Sequence, residues 1–561
     1  MKYFLLCLLI VIPLNLFGAI EERPGFDFEP LGRIAIQNRG RIKPLDTFAS
    51  ESLQFVTGKK SWKGKGPVEC LVGWLFNFDR EWENEEMIRI NYKPLKEEMG
   101  LEKDKNYFSY NQLQDNAGIK KILSSASSKS RNKERLSELE KKAITLENQL
   151  ELIGGIFTGQ LFTVLPNPDG ISSSWFSITN LNVAGGLPYA SDVTERFAMA
   201  LKESVEAFLA KNAAGWNSSS SKWISMLSQD MGRGIYPETG VLKREIHYNQ
   251  IRPFRIAWAF YTLGFVLFLF FIVGKKTLFQ KIGLVSVCLG LLIHSYGFVL
   301  RCLIAGRPPV TNMYESVIWV TWGCVLFSLL VWLAYKNIVI PTAATVFSIV
   351  GLVLADSLPS VLDPSINPLE PVLRSNYWLT IHVLTITLSY AAFALSLCLG
   401  NVVMGYYVFR PTQTAQIQNY SLYMYRAMQI GVVLLAAGTI LGGVWADYSW
   451  GRFWGWDPKE VWALIALLFY LAVLHGRFTG WLKGFGFAAT TVVSFLGVLM
   501  AWYGVNFVLG VGLHSYGFGS GGTGWVLSYV TLQVAFIVLG YRNYRKAHER
   551  HKLDTAIFPK S

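Results

Sequence analysis

The sequence has little charge and few residues that bind metals or form disulfides. Only 16% of its 561 residues are Asp, Glu, Lys or Arg, against roughly 25% in an average soluble protein. By contrast, 51% are hydrophobic and 14% are aromatic, while only 7 are histidines and 6 are cysteines. This composition excludes a disordered chain, a collagen-like repeat and a small disulfide scaffold. It favours a membrane protein with several spans.

Several catalytic and binding motifs are also missing. No two cysteines form a Cys-x-x-Cys pair, and no Cys-x-x-Cys-His segment is present, which argues against a c-type cytochrome and a dithiol oxidoreductase. The glycine run at 517–524 is not followed by a lysine, so it is predicted to be a flexible loop and not a phosphate-binding loop. The 52 basic residues exceed the 39 acidic ones, but we expect no nucleic-acid partner, because part of this excess follows the membrane topology.

The N-terminal region predicts a leader and then a domain outside the membrane. Residues 3–19 are apolar, follow Lys2 and end in Gly-Ala, which is typical of a secretory signal, with an uncleaved anchor as the alternative. Residues 20–252 contain no run long enough to span and are predicted to form an extracytoplasmic domain. Within it, 129–150 is predicted to be one solvated amphipathic helix, with a partner-binding coiled coil as the alternative.

The rest of the chain predicts an all-α polytopic membrane protein. A membrane helix needs about 18 or more mostly apolar residues. About nine such runs follow the signal segment, at 256–273, 283–301, 316–335, 338–357, 378–408, 426–445, 459–476, 486–506 and 525–541. Residues 253–545 are therefore expected to form the transmembrane domain, and 546–561 a cytoplasmic tail.

Basic residues predict the orientation of these spans. Lysines 275, 276 and 281 lie in the first loop between spans, whereas the loop around 506–524 has no Lys or Arg. Because basic loops stay inside, the first of these loops is predicted to be cytoplasmic and the second to be outer. The expected location is the inner membrane of a bacterium.

This topology places two histidines and a tryptophan cluster on the same side. His382 begins the fifth span, His514 follows the eighth, and loop 445–460 contains four tryptophans, at 445, 450, 454 and 456. An aromatic belt at the membrane interface is one interpretation. A cluster with interleaved Gly, Asp and Arg instead predicts a flat platform for a large planar ligand. Two imidazoles could hold a metal at the centre of such a ligand, as in a haem; another aromatic ligand or a structural lid is the alternative.

Four motifs then resemble a known family. The segment Trp450-Gly-Arg-Phe-Trp454-Gly-Trp456-Asp457-Pro-Lys-Glu460 resembles the tryptophan-rich WGxxWxWD signature of the haem-handling superfamily. Segments 311–316 (TNMYES), 378–382 (WLTIH) and 512–517 (GLHSYG) resemble the CcsA, or ResC, branch of cytochrome c biogenesis proteins. The resemblance covers roughly residues 283–541 with the motifs in the family order, and segment 34–49 resembles a stretch that precedes the CcsA half in some relatives.

The resemblance implies cytochrome c maturation. Haem b (iron protoporphyrin IX) would be held at the outer face by His382 and His514 over the platform of Trp450, Trp454 and Trp456. It would then be presented to a Cys-x-x-Cys-His segment of apocytochrome c for thioether attachment, as part of a cytochrome c synthase with no catalytic residue assigned here. Asp457, with Glu460, is expected to fix the loop by hydrogen bonds.

The resemblance also implies a second haem position within the membrane. His475 matches one of its ligands, and the other belongs to the CcsB, or ResB, half that is fused in some relatives and that this sequence lacks. A CcsB-like membrane partner is therefore expected. His294 is the only other histidine inside a predicted span, but a depth offset on the order of 15 Å argues against its pairing with His475, and bonding to a neighbouring helix is the alternative.

Some alternatives stay open at this point. Arg301, Arg307 and Arg452 are candidates to bind haem propionates, with snorkelling to the interface as the other interpretation. Two rival functions are a haem transporter or chaperone without ligation activity, and a binding subunit for another planar cofactor such as a quinone.

Overall fold

The computed structural model describes residues 25–557 except for 133, 135, 171–172, 183–186, 360, 370–372, 374, 511, 513 and 515–520. The chain divides into two units, one up to His247 and one from Tyr248 onward. The predicted signal segment 1–19 lies outside the described residues.

The first unit is mainly helical around one apolar core. Its centre includes buried side chains of α2, α3 and α8, among them Phe48, Trp74 and Ile153. Its helices are α1 (Glu29–Gly32), α2 (Leu45–Thr57), α3 (Pro67–Leu75), α4 (Glu81–Asn84), α5 (Lys93–Glu98), α6 (Tyr110–Leu113), α7 (Ala117–Arg131), α8 (Glu138–Phe157), α9 (Ser191–Leu209), α10 (Ala213–Met226) and α11 (Thr239–Ile251), the last of which crosses the boundary between the units.

Among its described residues, this unit also contains two short antiparallel pairs of strands. Strand β1 (Ala35–Asn38) pairs with β2 (Arg41–Pro44), and β3 (Ile88–Arg89) pairs with β4 (Tyr107–Phe108). Arg39 and Gly40 join β1 to β2 and both have positive φ, 51° and 74°. A two-residue turn with positive φ at both positions matches the right-handed twist of a hairpin. The segment that resembles a stretch before the CcsA half is therefore this hairpin and the start of α2.

The predicted single helix over 129–150 is wrong. Helix α7 ends at Arg131, and α8 begins after Ser137, whose side chain and that of Glu140 form a reciprocal capping box. This Ser-x-x-Glu pattern starts a new helix because it satisfies the otherwise unpaired N–H groups of the first turn. Leu146 is only 2% exposed, so α8 packs on the core of the unit and is not a solvated surface helix.

The second unit confirms the nine predicted spans. Nine helical segments among the described residues are long and apolar enough to cross a membrane. They are formed by α12 (Pro253–Gly274, preceded by α11), α13 (Thr277–Ala305), α14 (Met313–Tyr335), α15 (Val339–Ser357), α16 and α17 (Asn376–Trp378 and Leu384–Phe409), α18 (Thr414–Trp450), α19 (Pro458–Phe478), α20 (Gly484–Leu499) and α21 (Thr523–Ile557).

Two of these spans contain π-helical segments, at Leu379–Val383 and at Met500–Leu509. Such wide turns are rare and frequently mark functional sites. A further difference concerns α18, which continues to Trp450, so the predicted loop 445–460 is wrong in extent. The non-helical connection to α19 comprises only residues 451–457.

The interior of the second unit contains a fully buried ion pair. Arg301 of α13 is 1% exposed, and its Nη2 donates to Glu315 Oε1 at 2.6 Å. Arg301 Nη1 also donates to the hydroxyl of Tyr248 and to the carbonyl of Pro364, both at 3.0 Å. Both interpretations offered for Arg301, propionate binding and snorkelling, are therefore wrong. Its guanidinium is a structural cation that ties α14 and the 363–367 segment to α13.

Substitution of one member of this pair should destabilise the second unit more than substitution of both. Arg301→Met leaves Glu315 buried without its cation, which costs about 3–5 kcal/mol, whereas Arg301→Met/Glu315→Gln removes both charges. Thermal unfolding of the purified protein in detergent measures the difference, with Arg410→Met at an exposed helix end as the control. Equal midpoints for the single variant and the control would contradict the role assigned to Arg301.

Candidate functional site

The four family-like motifs meet at one cavity in the second unit. It encloses about 1200 Å³ between its walls, the open mouth included, which suits a ligand at the large end of those that protein pockets hold. Its walls come from the start of α14, the π segment before α17, the end of α18, the 451–457 connection, the start of α19, the π segment after α20, and His514. The lining includes Thr311, Asn312, Ser316, His382, Ile386, Tyr390, Gly442, Trp445, Phe453, Trp454, Lys459, Ala463, Trp502, Asn506 and His514.

His382 reaches this cavity from the π segment Leu379–Val383. Its Nδ1 donates to the carbonyl of Gly438 on α18 at 2.8 Å, and its ring packs edge-to-face on Trp445 with the ring centroids 5.7 Å apart. A Cβ on Gly442 would lie 2.6 Å from His382 Cε1. The imidazole therefore fits against α18 only because position 442 has no side chain.

His514 reaches the same cavity and is held by a carboxylate. Its Nδ1 lies 2.9 Å from Asp457 Oδ1, and Asp457 is only 6% exposed. Trp450 packs edge-to-face on the His514 ring, with a centroid distance of 5.3 Å and an interplanar angle of 82°. The end of α18 and the beginning of α19 thus both position this histidine.

The two histidines share one hydrogen-bonding pattern. In each ring Nδ1 faces an acceptor, a backbone carbonyl for His382 and a carboxylate for His514. An acceptor at Nδ1 favours the tautomer with the proton on that nitrogen, so Nε2 is the nitrogen that carries the lone pair. Histidines that bind metals are oriented in this way by an outer carboxylate or carbonyl.

Asp457 and Glu460 hold the connection between α18 and α19, as the sequence predicted. Asp457 caps α19, and its side chain accepts from Lys459 N at 3.0 Å. Glu460 Oε2 accepts from the backbone N–H of Gly455 at 2.8 Å and of Asp457 at 3.2 Å. Gly512 has φ +100°, and a Cβ there would lie 2.4 Å from Asp457 Oδ2. The backbone at Gly512 can therefore approach Asp457 closely.

The three predicted platform tryptophans do not share one plane. Trp454 lines the cavity, Trp450 belongs to α18 and borders His514, and Trp456 is 73% exposed with φ +56°. The Trp454 and Trp456 rings are perpendicular, at 87°. The expectation of a flat surface formed by all three rings is therefore wrong, because the tight turn at Trp456 directs the last ring away.

The other two candidate histidines do not line this cavity. His475 lies in the last turn of α19 and is exposed, with Nδ1 2.8 Å from the carbonyl of Leu471. His294 is fully buried among Phe254, Phe298 and Tyr261, whose hydroxyl lies 3.2 Å from its Nδ1. These contacts support the structural alternative for His294, a polar bond to the neighbouring helix α12.

The two remaining arginines also lie outside the cavity lining. Arg307 Nη2 donates to the carbonyl of Asn367, and Arg452 is exposed beside Gly455. Sequence reasoning instead missed Lys459, which lines the cavity at the second position of α19. The signal was present, since this lysine stands inside the tryptophan-rich motif, directly after its Asp-Pro. Trp502 and Asn506 were also missed, because nothing in a hydrophobic span shows which face lines a cavity.

These features define a polytopic membrane protein with a cavity lined by two oriented histidines. Residues 310–514 match the family described as Cytochrome C assembly protein. The chain is 36% identical over 293 residues to the cytochrome c biogenesis protein CcsA of Prochlorococcus marinus strain AS9601, an alignment that covers 46% of this chain and 93% of that protein. The chain therefore belongs to this family of cytochrome c assembly proteins.

Other similarities extend beyond this region. The chain is 28% identical over 523 residues to Protein NrfI of Wolinella succinogenes, covering 89% of this chain and 55% of NrfI. It thus spans about half the length of that relative. Among solved structures, the Cytochrome c Heme Lyase CcmF aligns with a TM-score of 0.38 and 16% identity over 56% of this chain and 53% of that one, and nothing further is built on this alignment.

The contact between Gly442 and His382 can be tested by a double-mutant cycle. Gly442→Ala places a methyl group against the imidazole and should destabilise the protein by about 1–3 kcal/mol through overpacking. His382→Ala removes the ring, so the second variant Gly442→Ala/His382→Ala should lose little more than His382→Ala alone. Thermal unfolding in detergent measures each variant, and Gly274→Ala, where a Cβ meets nothing within 4 Å, is the control. Additive losses would show that the two residues do not interact.

Proposed function

We propose that this chain binds haem between His382 and His514 and presents it for covalent attachment to apocytochrome c. The observation that carries the proposal is the shared pattern of the two histidines, which line one cavity and each place Nδ1 against an acceptor. Two neutral imidazoles are a suitable ligand pair for haem iron. Membership of a cytochrome c assembly family supports the same assignment.

The walls of the cavity suit a porphyrin. Ile386, Trp445, Phe453 and Ala463 supply apolar and aromatic surface, which favours burial of a planar macrocycle. Trp454 also lines the cavity, and its indole Nε1–H is buried with no acceptor among the described residues. An unsatisfied buried donor is costly, so an acceptor on a bound ligand would relieve this cost. Haem b meets both requirements.

The contribution of the chain is positioning. Attachment adds the two thiols of a Cys-x-x-Cys-His segment to the vinyl groups of haem. His382 and His514 would fix the in-plane position of the iron, while Phe453 and Trp454 would limit rotation of the ring. Fixing reacting groups in this way lowers the entropic part of the barrier. The proposed activity is therefore that of a component of a cytochrome c synthase, without an assigned general base.

The proposed location is the inner membrane of a bacterium. The site and the first unit would then face the extracytoplasmic side, as the basic loops predict. A CcsB-like membrane protein is the proposed partner. His475 is exposed at the opposite end of α19 from the site. There it would be one ligand of a second haem, and the partner would supply the other ligand.

Removal of either cavity histidine should abolish the haem-binding site. His382→Ala and His514→Ala should each lose the Soret band of the purified protein and also cytochrome c maturation, because each removes one axial ligand. His548→Ala, at an exposed position on α21, is the matched control and should keep both. Maturation that survives either cavity substitution would refute the ligand assignment, and the absence of a Soret band in the unsubstituted protein would refute the proposal itself.

Asp457 should affect haem affinity through its contact with His514. Asp457→Asn weakens the acceptor for Nδ1, and loss of such an outer partner typically costs about 10–100-fold in metal affinity. Haem titration of the detergent-purified protein should show this loss in Asp457→Asn. Unchanged haem affinity in Asp457→Asn would contradict the role assigned to Asp457.

A reconstitution separates the synthase from a haem transporter or chaperone. The chain is incorporated into liposomes with and without a CcsB-like partner and supplied with haem and an apocytochrome c. Covalent haem on the acceptor supports the synthase. Transfer of haem without thioether formation supports the transporter, and a quinone-dependent spectrum without haem supports a quinone-binding subunit.

A further inference from the structure

Lys459 is a cation without a direct partner in the cavity. Its side chain lines the cavity, and within the described parts of the chain its ammonium makes no hydrogen bond or ion pair. Lysines lining apolar cavities are costly unless a negative group pairs with them. Of the nearby carboxylates, Asp457 acts on the Lys459 charge only at longer range and faces His514, and Glu460 accepts from two backbone N–H groups.

The position of Lys459 in its helix raises this cost. Asp457 caps α19 and Pro458 is its first residue, so Lys459 occupies the second position. The N-terminal end of a helix carries partial positive charge and favours acidic side chains over basic ones. A lysine here adds positive charge where the backbone already supplies it. Both would stabilise an anion at the same wall of the cavity.

A second donor also lines the cavity. Trp454 is five residues before Lys459, lines the cavity, and has a buried indole N–H with no acceptor among the described residues. The exposed Arg452 makes no contribution to the lining of the cavity. Two donors without hydrogen-bond acceptors, one of them charged, thus line the cavity from the 451–457 connection and from the start of α19.

We infer, on the basis of the proposed function, that Lys459 binds a carboxylate of the haem ligand, with the Trp454 indole N–H as a second donor. The carboxylate is a propionate side chain of the porphyrin. Lys459 is therefore a positioning residue that sets the rotational orientation of the ring, and with it the position of the vinyl edge relative to the incoming thiols. It also makes the site selective for porphyrins with free carboxylates.

Comparison of haem with haem dimethyl ester tests this assignment. The ester keeps the iron and the macrocycle but has no propionate charge. The full-length protein in detergent is titrated with each compound by its Soret band. The unsubstituted protein should bind haem about tenfold or more tightly than the ester, since a charge-assisted hydrogen bond is among the stronger ones.

Lys459→Met should weaken haem binding about tenfold and leave ester binding unchanged. Lys459→Arg should keep most of the preference for haem, and Trp454→Phe should reduce it by a smaller factor, since only a neutral donor is lost. Arg452→Met, an exposed cation in the same connection, is the matched control and should behave as the unsubstituted protein.

Two results would overturn the role of Lys459 while leaving the proposed function intact. One is a Lys459→Met variant that still prefers haem to the ester as strongly as the unsubstituted protein. The other is an equal loss of affinity for both compounds, which would indicate a structural role in α19. Failure of the unsubstituted protein to bind either compound in a manner dependent on His382 would instead refute the proposed function.

Discussion

The carboxylate of Asp457 is the interaction on which the site depends. It caps the first turn of α19, and it also lies 2.9 Å from Nδ1 of His514. One buried side chain therefore starts a membrane helix and orients a histidine that is 57 positions further along the chain. Because one acceptor performs both tasks, the beginning of α19 and the ring of His514 are fixed relative to each other. The close approach at Gly512 is what makes this arrangement sterically possible.

The contact of His382 with α18 depends on two positions of α18 that have no side chain. Gly438 and Gly442 lie one turn apart on α18, where a Cβ would meet the backbone of Ile386 and the ring of His382 respectively. Small residues at such spacing let membrane helices approach closely. Here the close approach also exposes the Gly438 carbonyl to His382 Nδ1. His382 is thus held by a helix other than its own through a missing side chain, and His514 is held by the charged side chain that caps α19.

Much of this organisation could be predicted from the sequence, for physical reasons. Long apolar runs identify membrane helices, because an exposed backbone must be hydrogen-bonded within lipid, and all nine were found. His382 and His514 could be named because so few histidines are present. The break between α7 and α8 was missed although Ser137 and Glu140 carry a capping signal. The helical state of Trp450 was missed because its flanking Gly and Asp residues suggest a loop.

Other features depend on tertiary contacts that no local pattern contains. The interior position of Arg301 requires Glu315 from the next helix and a carbonyl from the 363–367 segment. The orientations of the Trp454 and Trp456 rings follow from the positive φ of Trp456. Bulky residues such as tryptophan rarely adopt a positive φ. Lys459 could be read from the motif, but its lack of a direct partner could not, because that is a property of the assembled cavity.

The π segment Leu379–Val383 determines how the start of this span responds to changes in chain length. A π turn holds one residue more than the α-helical turn it replaces, so it is equivalent to a single-residue insertion within a helix. Deletion of that residue would restore a regular helix and turn everything before it by about 100° relative to α17. The segment before α17 would then present a different face to α18, and Trp378 could no longer stack on Trp445. The irregular turn therefore sets the angle by which the start of this span is rotated about the helix axis relative to α17. Insertion or deletion of a single residue should be far less tolerated here than in the connections between helices.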